Sequence, residues 1–242
     1  MVTRRDRIEA VAIAVFSRAP LPGTTKTRLI PALGAAAAAR LQRRLTLRTL
    51  AVAQQAAIGS VRVWAAPDER QRFFRALHRR CGVDLRPQPA GDLGERMAAA
   101  FADASGPLLL IGCDCPVLQP VHLVAAAAAL RDDAGNDAVF IPAEDGGYVL
   151  VGLRRPQPSL FAGIDWGSER VMAQTRHRLA GAGLSWLELP PLWDVDRPGD
   201  LMRLAGFAGF HEFAGFAAWS GGTADGAATG MADGAGAAAS GL

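Results

Sequence analysis

The sequence predicts a three-layer α/β/α fold around a mostly parallel sheet. Three observations support this prediction. Short apolar segments alternate with helical segments along the chain. Two of the apolar segments, residues 11–16 and 107–112, have the continuously apolar character of strands buried on both faces of a parallel sheet. Half of the 242 residues are hydrophobic, which is enough for a sizeable core. This alternation is typical of a single α/β domain.

The first half of the chain contains four predicted strands and three predicted helices. After the first strand, a loop with Pro20, Pro22 and Gly23 leads into a long helix rich in alanine and leucine. Asp68 follows the second strand and fits the N-cap of the next helix. In chain order the elements are strand 11–16, helix 34–57, strand 61–66, helix 69–80, strand 83–88, helix 94–104 and strand 107–112.

The second half of the chain contains three more predicted strands and ends in a low-complexity tail. Its elements are helix 120–130, strand 138–142, strand 148–153, helix 168–180, strand 185–189 and helix 198–204. From Gly206 onward the residues are mainly glycine, alanine and small polar types, with too little apolar content to order them. We therefore predict a folded domain over 1–205 and a disordered tail over 206–242. The alternative for residues 207–219, which carry phenylalanines at triplet spacing, is docking onto the domain.

Composition narrows the range of functions. The net charge is only +3 and the arginines are scattered, so we do not expect nucleic-acid binding. No apolar run reaches the roughly 18–20 residues of a membrane span. No secretory signal is recognisable at the N-terminus, and the cysteines Cys81, Cys113 and Cys115 are too few for a disulfide framework. These features favour a cytoplasmic location.

The loop after the first predicted strand carries residues suited to phosphate binding. It lacks the Walker A pattern G-x-x-x-x-G-K-[ST]. Gly23 permits unusual backbone angles, and Lys26 and Arg28 are spaced to converge on one anion. Lys26 is also the single lysine among 26 basic residues, which favours a place that needs a compact ammonium. The alternative is a surface loop with solvated charges.

Acidic residues follow the strand 107–112 and occur again near residue 195. Asp114 emerges from a buried strand and suits coordination of Mg²⁺ or Mn²⁺, although it could instead cap the following turn. Asp194 and Asp196 alternate in an extended segment, so both carboxylates could face one metal. The alternative for Asp196 is a capping role at the helix that Pro198 begins.

Two glycine-containing segments complete the set of candidates. Glu144-Asp145-Gly146-Gly147-Tyr148 presents carboxylates that could grip sugar hydroxyls or act as a base, but Asp-Gly is also a strong hairpin signal. In the segment after the third strand, glycines would let a nucleotide base lie close to the backbone, and Gln88 would bond its edge. That segment is Gly91-Asp92-Leu93-Gly94-Glu95-Arg96.

Together these segments resemble a bacterial family of GT-A-like proteins, formerly of unknown function, often labelled arsenosugar-biosynthesis glycosyltransferases. The family is similar in fold to nucleotide-diphospho-sugar transferases and resembles phospholactate guanylyltransferase and the cytidylyltransferases of isoprenoid biosynthesis. The resemblance covers residues 10–205. It is carried by residues 14–18, 22–29, 91–97, Gly112-Cys113-Asp114-Cys115-Pro116, Glu144-Asp145-Gly146-Gly147-Tyr148, Ile164-Asp165-Trp166-Gly167 and Asp194-Val195-Asp196-Arg197-Pro198.

The resemblance implies a role for each candidate. Asp114 would hold Mg²⁺ or Mn²⁺ with Asp196 or Asp194, and Lys26, Asp114 and Asp145 would be catalytic. The nucleotide would contact Pro22, Gly23, Lys26, Arg28, Gln88, Gly91 and Asp92. The acceptor or sugar would contact Glu144, Asp145, Gly146, Gly147 and Tyr148.

These roles predict a transferase that uses a nucleotide and a small-molecule acceptor. The first hypothesis is a metal-dependent glycosyltransferase with a nucleotide-diphospho-sugar donor. The second is a nucleotidyltransferase that joins an NMP moiety from an NTP to a phosphorylated small molecule and releases pyrophosphate. It is favoured because Asp114 is followed by Cys115-Pro116 rather than completing an Asp-x-Asp motif. The third is a binding module without turnover, against which the presence of Lys26, Asp114 and Asp196 argues.

Overall fold

The computed structural model describes residues 10–131 and 135–213. Seven strands form one sheet: β1 (Ala12–Arg18), β2 (Val61–Ala66), β3 (Asp84–Pro87), β4 (Leu108–Ile111), β5 (Ala138–Pro142), β6 (Tyr148–Leu153) and β7 (Trp186–Glu188). The helices are α1 (Ile30–Leu33), α2 (Ala35–Ala56), α3 (Arg72–Cys81), α4 (Leu93–Ala102), α5 (Pro120–Arg131), α6 (Val171–Gly181) and α7 (Asp200–Ala205). Short 3-10 helices cover Thr27–Leu29, Pro158–Leu160 and His211–Phe213.

The sheet is mostly parallel, as predicted. Its strand order is β3-β2-β1-β4-β6-β5-β7, and only β6 runs antiparallel to its neighbours among the described strands. Side chains alternate across the sheet: Ile13 and Val15 of β1 belong to one apolar cluster, and Ala14 and Phe16 belong to another. Helices α2, α3 and α5 cover the first face, and α4 and α6 cover the second. The three-layer α/β/α prediction is confirmed.

The connections place a crevice beside β1. The chain moves outward from β1 to β2 and β3, and then returns to β4 on the other side of β1. The loops that follow β1 and β4 therefore leave the same edge of the sheet and diverge. Ligands of open α/β sheets bind at such a reversal of strand order. This topology brings the segment after Arg18 close to the segment after Ile111.

Two local predictions need correction. Helix α3 begins at Arg72 with Gln71 at its N-cap, so Asp68 is not the cap. The Asp68 carboxylate instead accepts a hydrogen bond from the backbone N–H of Arg70 at 2.6 Å, which makes a tight turn before the helix. The short helix α1, which includes Pro31, lies immediately before the predicted helix 34–57, where the sequence predicts no helix.

The folded part of the chain extends beyond residue 205. Residues 206–213, which the sequence analysis assigned to the tail, pack against α2, and Phe210 and Phe213 are buried there with Leu41 and Leu45. This segment packs on the domain because its phenylalanines bury apolar surface, although the residues around them are rich in glycine. Residues 214–242 lie outside the described residues. No helix in the described ranges has the length and hydrophobicity of a membrane span.

Gly59 fixes the distance between the end of α2 and the start of β1. A Cβ at Gly59 would lie 2.3 Å from the Val11 carbonyl oxygen, so Gly59→Ala must displace the backbone. We expect this variant to lose about 1–3 kcal/mol of unfolding free energy in urea titrations. Gly181→Ala is the control, because a Cβ there meets nothing within 4 Å and alanine favours the helix. Equal stability of the two variants would contradict the prediction.

Candidate functional site

A cavity of about 660 Å³ opens at the edge of the sheet where β1 and β4 end. Its walls come mainly from four parts of the chain: the loop after β1, the segment that joins β3 to α4, the end of β4, and the start of β6. Seven of the residues proposed from the sequence as nucleotide or metal contacts line it: Lys26, Arg28, Gln88, Gly91, Asp92, Asp114 and Asp196. Tyr148 also contributes to its wall.

Lys26 lies at the centre of this arrangement. Its backbone adopts the left-handed conformation (φ 49°), which directs the side chain inward at the start of the 3-10 helix. Only 4% of the side chain is exposed. The ammonium makes an ion pair with Asp114 Oδ1 at 2.5 Å and donates a hydrogen bond to the Val195 carbonyl at 2.5 Å. Lys26 therefore joins the loop after β1 to two other segments, and its charge is already partnered.

Asp114 is the residue at which these segments meet. Its backbone carbonyl accepts a hydrogen bond from the N–H of Val195 at 2.9 Å, in addition to the ion pair that its carboxylate makes with Lys26. The Asp114 side chain is 48% exposed, so its carboxylate remains accessible from the cavity. A buried cation beside a half-exposed carboxylate holds the carboxylate in place without removing it from solvent.

The neighbouring cysteines have a packing role. The Cys113 thiol donates to the Phe16 carbonyl at 3.2 Å, which adds a contact between β4 and β1. Burial raises the pKa of Cys113 and that of Cys115 to about 12. Both thiols are thus neutral near pH 7, which argues against a nucleophilic role for either of them.

Arg28 and Asp196 form an ion pair at the cavity wall, with 56% of the arginine side chain exposed. Asp196 does not cap the following helix. Instead, the Asp200 carboxylate accepts hydrogen bonds from the backbone N–H groups of Asp196 (2.9 Å) and Arg197 (2.7 Å). The capping alternative for Asp196 is therefore wrong: α7 has Gly199 at its N-cap without a side-chain cap hydrogen bond, and the Asp196 carboxylate pairs with Arg28 instead.

Negative charge accumulates around Asp194. Burial raises its pKa, and the nearby Asp145 and Asp114 carboxylates raise it further, to about 7. Lys26 offsets part of this repulsion. Within residues 10–131 and 135–213, no three His, Cys, Asp or Glu side chains are grouped closely enough to hold a metal ion as they stand. The carboxylates are thus electrostatically coupled without forming a closed cluster.

The segment 144–147 is a hairpin turn between β5 and β6. Gly147 N–H donates to Asp145 Oδ1 at 3.0 Å, and the Ala143 N–H donates to the Gly147 carbonyl at 3.0 Å. Gly146 lies so close to the segment before α6 that a Cβ would be 2.1 Å from the Glu169 carbonyl oxygen. The hairpin reading is correct, and the turn still brings Asp145 near Asp194.

Glu144 lies outside the cavity wall. Its two carboxylate oxygens accept hydrogen bonds from Arg203 at 2.6 and 3.2 Å, and this exposed pair lowers the pKa of Glu144. The arginine also stacks on Trp193, with 4.5 Å between the guanidinium carbon and the ring centroid. Glu144 therefore links the hairpin turn to α7, a structural role that the sequence did not predict.

Tyr148 forms an apolar wall of the cavity. Its ring packs edge-on against Trp166 with centroids 6.3 Å apart, and its hydroxyl lies 3.9 Å from Met97 Sδ. Burial raises the pKa of Tyr148, so the hydroxyl stays protonated. Tyr148 can pack against a ligand or donate a hydrogen bond, but it is not suited to be a base.

The segment 91–96, predicted to lie near the nucleotide base, includes the N-terminus of α4. Asp92 and Glu95 form a capping box, in which each side chain accepts a hydrogen bond from the other residue's backbone N–H at 2.8 Å. The Asp92 carboxylate is therefore engaged by the helix. Gly91 has φ of 112° and contacts the Glu95 side chain, and Gln88 donates to the Trp64 carbonyl at 2.8 Å.

Several residues of the wall are not predicted from the sequence. Arg96 lies in the segment 91–96, and its Nε donates a hydrogen bond to the Gly91 carbonyl at 3.1 Å. Gln42 reaches the cavity from α2, which no local pattern indicates. Thr25 is buried, and its hydroxyl has no hydrogen-bond partner among the described residues. Pro22 and Gly23 precede the wall residues of their loop and do not line the cavity.

Comparison with known proteins gives one matching family model and several solved structures of similar fold. The family model described as "Uncharacterized protein conserved in bacteria (DUF2064)" matches residues 49–168, a stretch that includes Asp114 and the hairpin turn. A protein of Desulfovibrio desulfuricans G20, provisionally assigned as a nucleotide-diphospho-sugar transferase, is 28% identical. That alignment covers 87% of this chain and 95% of that chain with a TM-score of 0.71. No curated protein matches the sequence.

Two further solved structures share the fold at low identity. A nucleotidyl transferase from Methanothermobacter is 12% identical, with a TM-score of 0.57 over 85% of this chain and 98% of that chain. The inositol-1-phosphate CTP transferase from T. maritima is 9% identical, with a TM-score of 0.53 over 86% of this chain and 96% of that chain. The resemblance stated from the sequence is confirmed: the chain has the GT-A-like fold of nucleotide-diphospho-sugar transferases.

The negative charge around Asp194 should change how the stability of the protein depends on pH. Because its folded-state pKa, about 7, is above the ordinary 3.8, the native state binds this proton more tightly than the unfolded chain. Ionisation of Asp194 therefore costs stability as the pH rises from about 4 to about 7. Asp194→Asn should be more stable than the original chain at pH 8, by at least about 1 kcal/mol, with the difference shrinking towards pH 5.

Urea unfolding at both pH values, with a chelator present, measures this effect. Asp165→Asn is the control, because Asp165 is exposed and lies outside the cavity. An equal gain at pH 5 and pH 8 for Asp194→Asn would contradict the assigned cause.

Proposed function

We propose that this protein is a metal-dependent glycosyltransferase that takes a nucleotide-diphospho-sugar in the cavity and transfers the sugar to a small-molecule acceptor. One observation carries the proposal. At the reversal of strand order, the loop with Lys26 and Arg28 meets the Asp114 carboxylate, and the segment 194–196 adds further carboxylates beside them. A site that must bind phosphates through a cation needs both kinds of charge in one place.

The donor set fits a hard divalent cation. Asp114, Asp194 and Asp196 offer carboxylate oxygens, which Mg²⁺ and Mn²⁺ prefer. The repulsion that raises the pKa of Asp194 is the kind that a bound cation relieves. Asp114 would hold the ion with Asp196 or Asp194 as its second carboxylate. When bound, it would neutralise charge on the phosphates of the leaving nucleotide.

Side chains in and beside the cavity would then bind the phosphates, orient Asp114 and accept the proton of the acceptor. Arg28, exposed at the wall, would bind phosphate oxygens and stabilise the developing charge of the leaving nucleoside diphosphate. Lys26 would keep Asp114 oriented and add positive charge behind it. The acceptor hydroxyl would attack the anomeric carbon as the bond to the diphosphate breaks, and Asp145 would take the hydroxyl proton.

Nucleotidyl transfer is the second candidate. It is favoured by Asp114-Cys115-Pro116, where the single carboxylate does not form an Asp-x-Asp motif. In this reaction an acceptor phosphate would attack the α-phosphate of an NTP, and pyrophosphate would leave. The same cations would stabilise the charge of the leaving group, so the two reactions require the same wall and differ in the bond that breaks.

Product analysis separates the two reactions. The protein is incubated with Mg²⁺ or Mn²⁺, a panel of nucleotide-sugars or NTPs, and phosphorylated or hydroxylated acceptors. Metal-dependent release of a nucleoside diphosphate from a nucleotide-sugar supports glycosyl transfer. Pyrophosphate release that requires a phosphorylated acceptor supports nucleotidyl transfer instead. If no nucleotide binds at millimolar metal, both candidates fail.

Turnover should depend on the Asp114 carboxylate. Asp114→Asn keeps the size of the side chain but removes a negative charge, so we expect turnover to fall by at least about 100-fold. Asp165→Asn is a matched control, because both carboxylates have 48% exposure and one arginine or lysine partner. Unchanged turnover in Asp114→Asn would exclude the metal role proposed for this residue.

Arg28→Ala should weaken nucleotide binding by about 10–100-fold, because one charge-assisted contact to phosphate is lost. The control is Arg170→Ala, which removes another exposed arginine that pairs with an aspartate away from the cavity. Calorimetric titration with the nucleotide and metal measures both affinities, and thermal unfolding checks that the fold is intact. Equal affinities would exclude phosphate binding by Arg28.

A further inference from the structure

Arg48 connects the loop that carries Asp114 to the C-terminal part of the described chain. It lies on α2, outside the cavity wall, and its Nε donates a hydrogen bond to the Pro116 carbonyl at 2.6 Å. The face of the same guanidinium lies over the Phe207 ring, with 5.0 Å between the guanidinium carbon and the ring centroid. One side chain therefore contacts both the loop after β4 and the segment after α7.

The Pro116 carbonyl is a useful place to hold this loop. Proline has no backbone N–H, so the carbonyl is the only backbone group through which residue 116 can be hydrogen-bonded. The other end of the loop is held by Cys113, whose thiol donates to Phe16. Asp114 lies between these two points. A charge-assisted bond from Arg48 thus fixes the far side of the turn on which the carboxylate is mounted.

Phe207 belongs to a row of three aromatic rings that contacts Arg44 and Arg48 of α2. The rings of Phe207, Phe210 and Phe213 follow one another with centroid distances of 6.3 and 6.4 Å. Phe210 lies under Arg44, one turn before Arg48, at 5.9 Å from its guanidinium carbon. Stacking on a ring restricts an arginine without using its hydrogen-bond donors, so Arg48 can be held and still bond Pro116.

We infer that Arg48 is a positioning residue for the Asp114 loop, and that Phe207 holds Arg48 in the orientation this requires. The segment 206–213 is thereby part of the frame of the site. The functional consequence rests on the proposed role of Asp114 as a metal ligand. Supporting residues outside the ligand set of metal sites commonly change metal affinity by about 10–100-fold when they are mutated.

Arg44 offers a matched control on the same helix. It also lies over a phenylalanine of the segment, but its ion pair at 2.7 Å is with Glu212 rather than with the loop 113–116. Arg48→Ala and Arg44→Ala should both lower thermal stability. Only Arg48→Ala should loosen the Asp114 loop and weaken metal binding, whereas an arginine with a purely structural role would change stability alone.

Two measurements on the full chain test this difference. Hydrogen–deuterium exchange follows the backbone of residues 112–118, and electron paramagnetic resonance titration measures Mn²⁺ affinity well below the unfolding temperature. We expect Arg48→Ala to exchange faster over 112–118 and to bind Mn²⁺ about 10-fold more weakly, with Arg44→Ala unchanged in both. Phe207→Leu, which keeps apolar bulk but removes the ring, should give the same changes in smaller degree.

The inference is overturned if Arg48→Ala and Arg44→Ala exchange alike over 112–118 and, where the original chain binds Mn²⁺, bind it alike. If Arg48→Ala does not fold, Phe207→Leu against Arg44→Ala makes the same comparison. Should the original chain bind no Mn²⁺, the metal-dependent function proposed above fails. The exchange comparison then decides the positioning role by itself.

Discussion

The ion pair between Lys26 and Asp114 is the interaction on which the geometry of the site depends. A buried ammonium is costly unless its donors are satisfied. Lys26 satisfies two of its three donors through the Asp114 carboxylate and the Val195 carbonyl. The need to partner one charge therefore fixes the relative positions of three segments that are far apart in the sequence. Lys26 is the single lysine in a chain that otherwise uses arginine, and the buried position suits a compact ammonium better than a planar guanidinium.

Lys26 is already paired with Asp114 and Val195, and the accessible charges of the site lie around it. Arg28 and Asp196 are exposed at the wall, while Asp194 is held near other carboxylates at an electrostatic cost. Such a cost is common where a protein is organised for a ligand rather than for stability alone. It is consistent with a site that accepts a cation together with an anionic substrate.

The frame of the site is built from elements outside it. Arg203 stacks on Trp193 and grips Glu144, so α7 restrains the hairpin turn that carries Asp145. Arg48 restrains the turn after β4 in a comparable way. In both cases an arginine uses its flat face for packing and its edge for hydrogen bonds, a combination that lysine cannot provide. The arginine-rich composition thus contributes to the fold as well as to the charge.

The sequence by itself determined the seven strands, the layered fold and the segments that form the cavity. It could do so because apolar periodicity and turn residues are local signals, and the ends of parallel strands share one edge of a sheet. Only the tertiary structure decided how each charge is used. It paired Lys26 with Asp114, Arg28 with Asp196 and Glu144 with Arg203, and it gave a packing role to the segment 206–213. These choices depend on distances between residues remote in sequence, because an ionised side chain takes the partner that packing brings within reach.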